Sequence, residues 1–179
     1  KILLLGDSIS LGYRAYVEKM LYGWAEVIYP HENTRFSTYL LRNLPIYKKQ
    51  MNIGSEEVTA VVFNSGLWDV VRVDDEVLVS KEVYADNIRR IINVLKKEYP
   101  NAILFFATTT YPKYDSEVEP DVYRRIDDVI EYNGALSQTT QWSYDDNEAE
   151  TDNNPTTLGE ALNDTYIRVD KANQRIDMV

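Results

Sequence analysis

Apolar positions along the chain fall into short solid blocks that alternate with longer, spaced ones. Ile2, Leu3, Leu4 and Leu5 are contiguous, as in a strand buried on both faces, and the block stops at Gly6-Asp7-Ser8. Apolar side chains then return at helical spacing, at Tyr13, Val17, Met20 and Leu21. Residues 24–29 read as a second strand and residues 30–37 as a polar loop. Leu40, Leu44, Tyr47 and Met51 make a helical stripe interrupted by Pro45, which predicts a kink, or two short helices with Pro45 in the first turn of the second. After a turn over 52–57, residues 58–63 form a third strand that runs into Asn64-Ser65-Gly66-Leu67-Trp68-Asp69. Residues 70–79 alternate imperfectly around Asp74-Asp75-Glu76, as an extended excursion or a hairpin does.

The second half continues the pattern. Ser80 is placed to cap a helix with Glu82 in its first turn, and Tyr84, Ile88, Ile91, Ile92, Leu95 and Tyr99 give the clearest amphipathic stripe of the chain. Pro100-Asn101 ends it. Residues 102–107 are a fourth buried strand, followed by Thr108-Thr109-Thr110-Tyr111-Pro112. Asp121 is expected to open a further helix carrying Val122, Ile126, Val129 and Ile130. Residues 137–156 hold few apolar side chains beyond Trp142 and Tyr144, and there is no Lys or Arg between Arg125 and Arg168, so they read as a mobile acidic loop. Replacing that segment by a short Gly/Ser linker is therefore expected to change the thermal midpoint little; a large drop would show that it packs. Thr157-Leu158-Gly159-Glu160 is a capping-box pattern before a last helix with Leu162, Val169 and Ile176. The order β-α-β-α-β-α-β-α-α predicts an α/β fold, a three-layer α/β/α sandwich around an open, mostly parallel sheet.

Composition narrows the function. With 179 residues, 44% of them hydrophobic, the chain is expected to be a single domain over 1–179 with a substantial core. A net charge of -10 argues against a nucleic-acid or anionic-membrane partner. There is no Cys, hence no disulfide, thiol nucleophile or Cys-based metal site, and this fits any compartment; a cytoplasmic location is the working expectation. No apolar run is long enough to cross a bilayer. Neither common nucleotide fingerprint is present. The acidic run from Asp145 to Asp152 lacks the central Gly and closing Glu of a calcium loop, so a solvated run is the stronger reading and no metal is expected.

Ser8 stands where the first buried strand turns into a helix. A hydroxyl there lies at the carboxyl edge of the sheet, where open α/β folds bind ligands, and near the positive end of a helix dipole. The competing reading is that Asp7 or Ser8 only caps the helix, and these residues by themselves leave both open.

The wider set of motifs resembles the SGNH/GDSL hydrolases, flavodoxin-like serine esterases and lipases. Gly6-Asp7-Ser8-Ile9 is similar to the family's first block, Gly66-Leu67-Trp68-Asp69 to its third, residues 33–37 occupy the place of the second, and Thr108 to Pro112 resemble the segment after the fourth strand. The resemblance implies strand order 2-1-3-4(-5), Ser8 as nucleophile, small acyl esters, including acetylated carbohydrates, as substrates, and no cofactor. Two departures stand out. The second block has no Gly, and Trp68 occupies the position of the third-block Asn, whose carboxamide helps form the family's oxyanion hole. An indole donates one hydrogen bond and cannot copy a carboxamide, so Asn64 or Asn33 is the substitute candidate. Arg35, Trp68 and residues 109–114 are expected to shape the substrate pockets. Asp69 reads as a loop brace by resemblance and as a solvent-exposed carboxylate otherwise.

A larger departure is the base. The family takes it from a late Asp-x-x-His block after a fifth strand, and this chain has one His, His31, and no such block. Three accounts are open. The chain is C-terminally incomplete; His31 acts as base; or the protein is a non-catalytic ligand-binding relative. The first is the expectation, with His31 an exposed turn residue. A receiver-like signalling domain would need a phosphoacceptor Asp and a Lys after a fifth strand, and no such Lys can be placed. Oligomeric state is not legible.

Overall fold

The computed structural model of the chain describes residues 1–111, 116–119 and 122–138. The acidic segment beyond Gln138 and the expected last helix lie outside the described residues.

Four strands form the main sheet: β1 (Ile2–Leu5), β2 (Val27–Ile28), β3 (Ala60–Asn64) and β6 (Ile103–Ala107), all parallel, in the order β2-β1-β3-β6. This is the expected 2-1-3-4 arrangement. The chain moves one way from β1 to β2 and the other way afterwards. Right-handed crossovers therefore put α1 (Ser8–Met20) on one face and α2 (Ser37–Met51) and α3 (Lys81–Glu98) on the other. The core lies on the second face. Leu3, Leu5, Val61 and Phe63 project from the strands into Leu40, Leu44 and Tyr47 of α2 and Tyr84, Ile88, Ile91 and Leu95 of α3. Ser80 caps α3 by accepting from the Val83 amide, as its position predicts.

Several elements depart from their sequence patterns. α2 runs as one helix through Pro45. The second strand is only two residues long, and Trp24 is 91% exposed. α1 forms where expected, but its stripe is not covered among the described residues: Tyr13, Tyr16 and Met20 are exposed and Ser10 is its one buried residue. The largest correction concerns residues 122–124. Instead of continuing a helix opened by Asp121, they form β8 (Val122–Arg124), and helix α4 begins four residues later, at Ile126–Gln138. The Val122, Ile126, Val129 spacing mimics a helical stripe. β8 nevertheless pairs antiparallel with β4 (Arg72–Val73), which offers its ladder an outside partner.

That pairing builds a second sheet, in the order β5-β4-β8-β7, from two hairpins. The first, β4 and β5 (Glu76–Val77), turns at Asp74 and Asp75, both at positive φ (52° and 61°), which is the two-residue turn that matches strand twist. The second joins β7 (Ser116–Glu119) to β8. Arg72 fastens the sheet to α4 by a two-pronged ion pair with Asp128, at 2.7 Å and 2.8 Å. One hairpin follows the loop after β3 and the other the loop after β6, so both rise from the carboxyl edge of the main sheet. No helix among the described residues is long and apolar enough to cross a membrane.

Candidate active site

The loops that follow β1 and β3 leave neighbouring strands at the same edge. Leu5 is in register with Phe63, so Gly6-Asp7-Ser8 and Asn64-Ser65-Gly66 emerge side by side, about 5 Å apart. Asp7 is the N-cap of α1, its carboxylate accepting from the Ile9 amide at 2.9 Å. The capping role suggested for Asp7 or Ser8 thus falls to Asp7. Ser8 is the first residue of the helix and is exposed. Its amide belongs to the first turn, whose N–H groups have no acceptor within the helix. Gly6 makes the turn possible, because a Cβ there would stand 2.6 Å from that of Ser10.

Four loops are stitched together at this edge. The Thr34 amide donates to the Gly6 carbonyl at 3.1 Å and brings in the loop after β2. Asp69 is fully buried. It accepts from the Ser37 amide at 3.0 Å and 3.1 Å, from the Ser37 hydroxyl, and from Ser65 Oγ at 3.3 Å. Phe36, the cap residue of α2, supplies no side-chain bond, so a carboxylate from 32 positions along the chain caps this helix. Thr109 Oγ1 and the Tyr84 hydroxyl both donate to the Ser65 carbonyl, at 3.1 Å and 2.9 Å. Asn133 of α4 clamps Thr109, its Oδ1 accepting from the amide and its Nδ2 donating to the carbonyl.

The candidate binding residues fall into different settings. Asn64 ends β3 and directs Nδ2 at the Ala107 carbonyl, 2.8 Å away, and more loosely at that of Thr108, 3.4 Å away. Asn33 accepts from the Arg35 amide at 2.7 Å and leaves its own Nδ2 uncommitted among the described residues. The Thr34 and Arg35 amides are both bonded within the protein, to the Gly6 carbonyl and to Asn33 Oδ1. Arg35 is exposed, at φ 54°, with its guanidinium over the Tyr39 ring. Trp68 is half-buried. Gly66 sits at φ 144° and packs against Thr109. His31 is exposed on the bend after β2. Among the described residues no group of three or more His, Asp or Glu side chains could hold a metal ion.

Arg124 is the residue that sequence reading missed. It reaches from β8 across the site edge, and its Nε donates to the Leu67 carbonyl at 2.8 Å. Burial pushes the Asp7 carboxyl above its usual range, opposed by the Ile9 amide and by the Arg124 charge. Asp7 Oδ2 is buried and has no hydrogen-bond partner among the described residues. No local pattern singles out Arg124, because a residue assigned to a helix opened by Asp121 is not placed opposite β4.

Burial raises the Asp69 pKa to about 6, partly offset by the Ser37 and Ser65 bonds. The folded state therefore holds this proton up to a higher pH than the unfolded chain, whose carboxyl titrates near 3.8. Stability from this group is present below about pH 4 and is lost as pH rises to about 6. Relative to Asp69→Asn, the wild-type midpoint in urea is expected to rise as pH falls from 6 to 4. Parallel pH profiles for the two proteins would show that Asp69 does not titrate in this range.

No family model matches the chain, and no curated protein matches it. Its fold is similar to those of several solved structures. A GDSL-like lipase from Bacteroides thetaiotaomicron aligns at TM-score 0.52 and 14% identity over 76% of this chain and 60% of that one. A psychrotrophic esterase, EstA, from Pseudoalteromonas aligns at 0.51 and 16%, over 76% and 69%. A protein assigned as an acylhydrolase from Bacteroides fragilis aligns at 0.57 and 14%, over 93% and 86%. The chain thus spans 60% of the length of the first of these. What the likeness carries is architecture: this chain has the SGNH/GDSL hydrolase fold that its motifs resemble.

Proposed function

We propose that the protein is a serine ester hydrolase in which Ser8 attacks small acyl esters, including acetylated carbohydrates, through an acyl-enzyme. The observation that carries the reading is Ser8 itself. It is an exposed hydroxyl on the first residue of α1, at the carboxyl end of a central strand, beside the loop that begins at Asn64. Oγ bonds to the acyl carbon as its proton passes to a base. The tetrahedral intermediate collapses by breaking the acyl C–O bond, the departing alcohol takes that proton, and water then hydrolyses the acyl-enzyme to free the acid and Ser8. The oxyanion of the tetrahedral intermediate takes the Ser8 amide and, in exchange for its loose 3.4 Å bond to the Thr108 carbonyl, one Nδ2 hydrogen of Asn64, with the Phe36 amide as a further donor. Trp68, Gly66, Asn33, Arg35 and the loop from Thr109 border the substrate. Asp69 contributes by fixing the loops rather than by touching the ester, since it is out of solvent. No cofactor is part of this chemistry.

One observation favours a second reading, a ligand-binding relative of the same fold. The one His of this chain is exposed on the bend after β2. Treatment with an activated phosphonate ester separates the two. A hydrolase gains one phosphonyl group on Ser8, located by peptide mass, and Ser8→Ala gains none. A protein that stays unmodified under conditions that label an active esterase supports the binding module instead.

A further inference from the structure

Three arginines meet at the second sheet, and two of them are neutralised by carboxylates. Arg72 is paired with Asp128, and Arg125 reaches Asp75 at 2.8 Å. Tyr123, between Arg124 and Val122 on β8, also donates to Asp75. Successive strand residues point to opposite faces, so Arg124 is turned away from that cluster and toward the loops of the main sheet. There it is half-buried, and its one direct acceptor is the neutral Leu67 carbonyl. Among the described residues no carboxylate lies within ion-pairing distance of it. Asp7 feels its charge without contacting it. Both Nη groups, four N–H donors, are left without a partner among the described residues. The guanidinium is held on the loop after β3, the strand that lies beside the one leading into Ser8.

A half-buried guanidinium is a poor structural filler unless an anion completes it, because burial without a counter-charge is costly. We propose that Arg124 is an anion-recognition residue of the Ser8 cleft, so that the ester taken there carries a carboxylate or phosphate group near the scissile bond. The inference rests on the serine-hydrolase reading for the reacting group, but not for the binding of the anion. Leu67 fixes the guanidinium through Nε and leaves the Nη edge to receive two oxygens side by side, a geometry that Lys cannot copy. The second sheet then acquires a role: it brings this guanidinium to the carboxyl edge of the main sheet.

The test is a binding measurement that needs no turnover. Monomethyl succinate, dimethyl succinate and methyl phosphate are titrated into the natural protein, into Arg124→Gln and into Arg124→Lys, at low and high salt. The expected result is binding of an anionic probe at least about tenfold tighter than of the neutral diester, weakened by salt. The difference should fall below about twofold in Arg124→Gln and be partly kept in Arg124→Lys. The ratio of the two anions identifies which group is read. Equal binding of charged and neutral probes by the natural protein overturns the proposal, whether or not the variants fold. So does charge discrimination that survives in a folded Arg124→Gln. A protein that discriminates by charge yet takes no phosphonyl group at Ser8 leaves the anion site standing and removes the hydrolase reading. Phosphonylation without charge discrimination does the reverse.

Discussion

Replacing Ser8 by Ala in the full-length natural protein is expected to lower kcat/KM on a short p-nitrophenyl ester by on the order of 10³-fold or more. The variant removes the one atom that forms the acyl bond and leaves the cleft in place. Ser8 is exposed and its side chain caps nothing, since Asp7 holds that role, so stability should not change. His31→Ala is the companion variant. A base must come within about 3 Å of the serine hydroxyl, directly or through one water. His31 lies on an exposed bend after the edge strand β2, and the Pro30 carbonyl before it is held by Arg14 at 3.0 Å. Its loss is expected to change kcat/KM by less than about fivefold, a change smaller than that from removing a group that transfers a proton. Loss of activity in folded His31→Ala as complete as in Ser8→Ala would make His31 the base.

Gly66→Ala is expected to be the most destabilising single-methyl change in the described part of the chain. At φ 144° a residue with a Cβ is strained by about 1–3 kcal/mol. The added carbon would also stand 2.0 Å from Thr109 Oγ1 and 3.1 Å from the Tyr84 hydroxyl. Neither neighbour is free to retreat. Both donate to the Ser65 carbonyl, Tyr84 is fully buried, and Asn133 clamps Thr109 from both sides. Overpacking and the broken bonds add about 2 kcal/mol, so a loss near 4 kcal/mol is expected. For a chain of this size that lowers the thermal midpoint by roughly 10 °C. Gly12→Ala is the control. A Cβ there meets nothing within 4 Å, and α1 should gain up to about 1 kcal/mol. A midpoint for Gly66→Ala within about 2 °C of the wild type would mean that the Thr109 loop yields.

The order of strands and helices was legible along the chain because it is written in local periodicity. Ile2 to Leu5 form an unbroken apolar block because the strand is covered on both faces, and the stripe from Tyr84 to Leu95 repeats at the helical period because one face is buried. Each pattern is set within a few residues, whatever the rest of the chain does. The switch at Gly6-Asp7-Ser8 was legible for the same reason, as was the cap at Ser80.

Everything that depends on a distant partner was not. A helical spacing around Val122 became a strand because β4, fifty positions earlier, presented an open ladder. Asp69 reads equally as a solvated carboxylate until α2 is seen to bring the uncapped Ser37 amide against it. The need for glycine at position 66 comes from Thr109, and Arg124 reaches the site edge through a hairpin that no periodicity predicts. Hydrophobic spacing records which face of a segment is buried. It carries no record of what the segment is buried against, and at this sheet edge the contacts between loops decide both the stability and the chemistry.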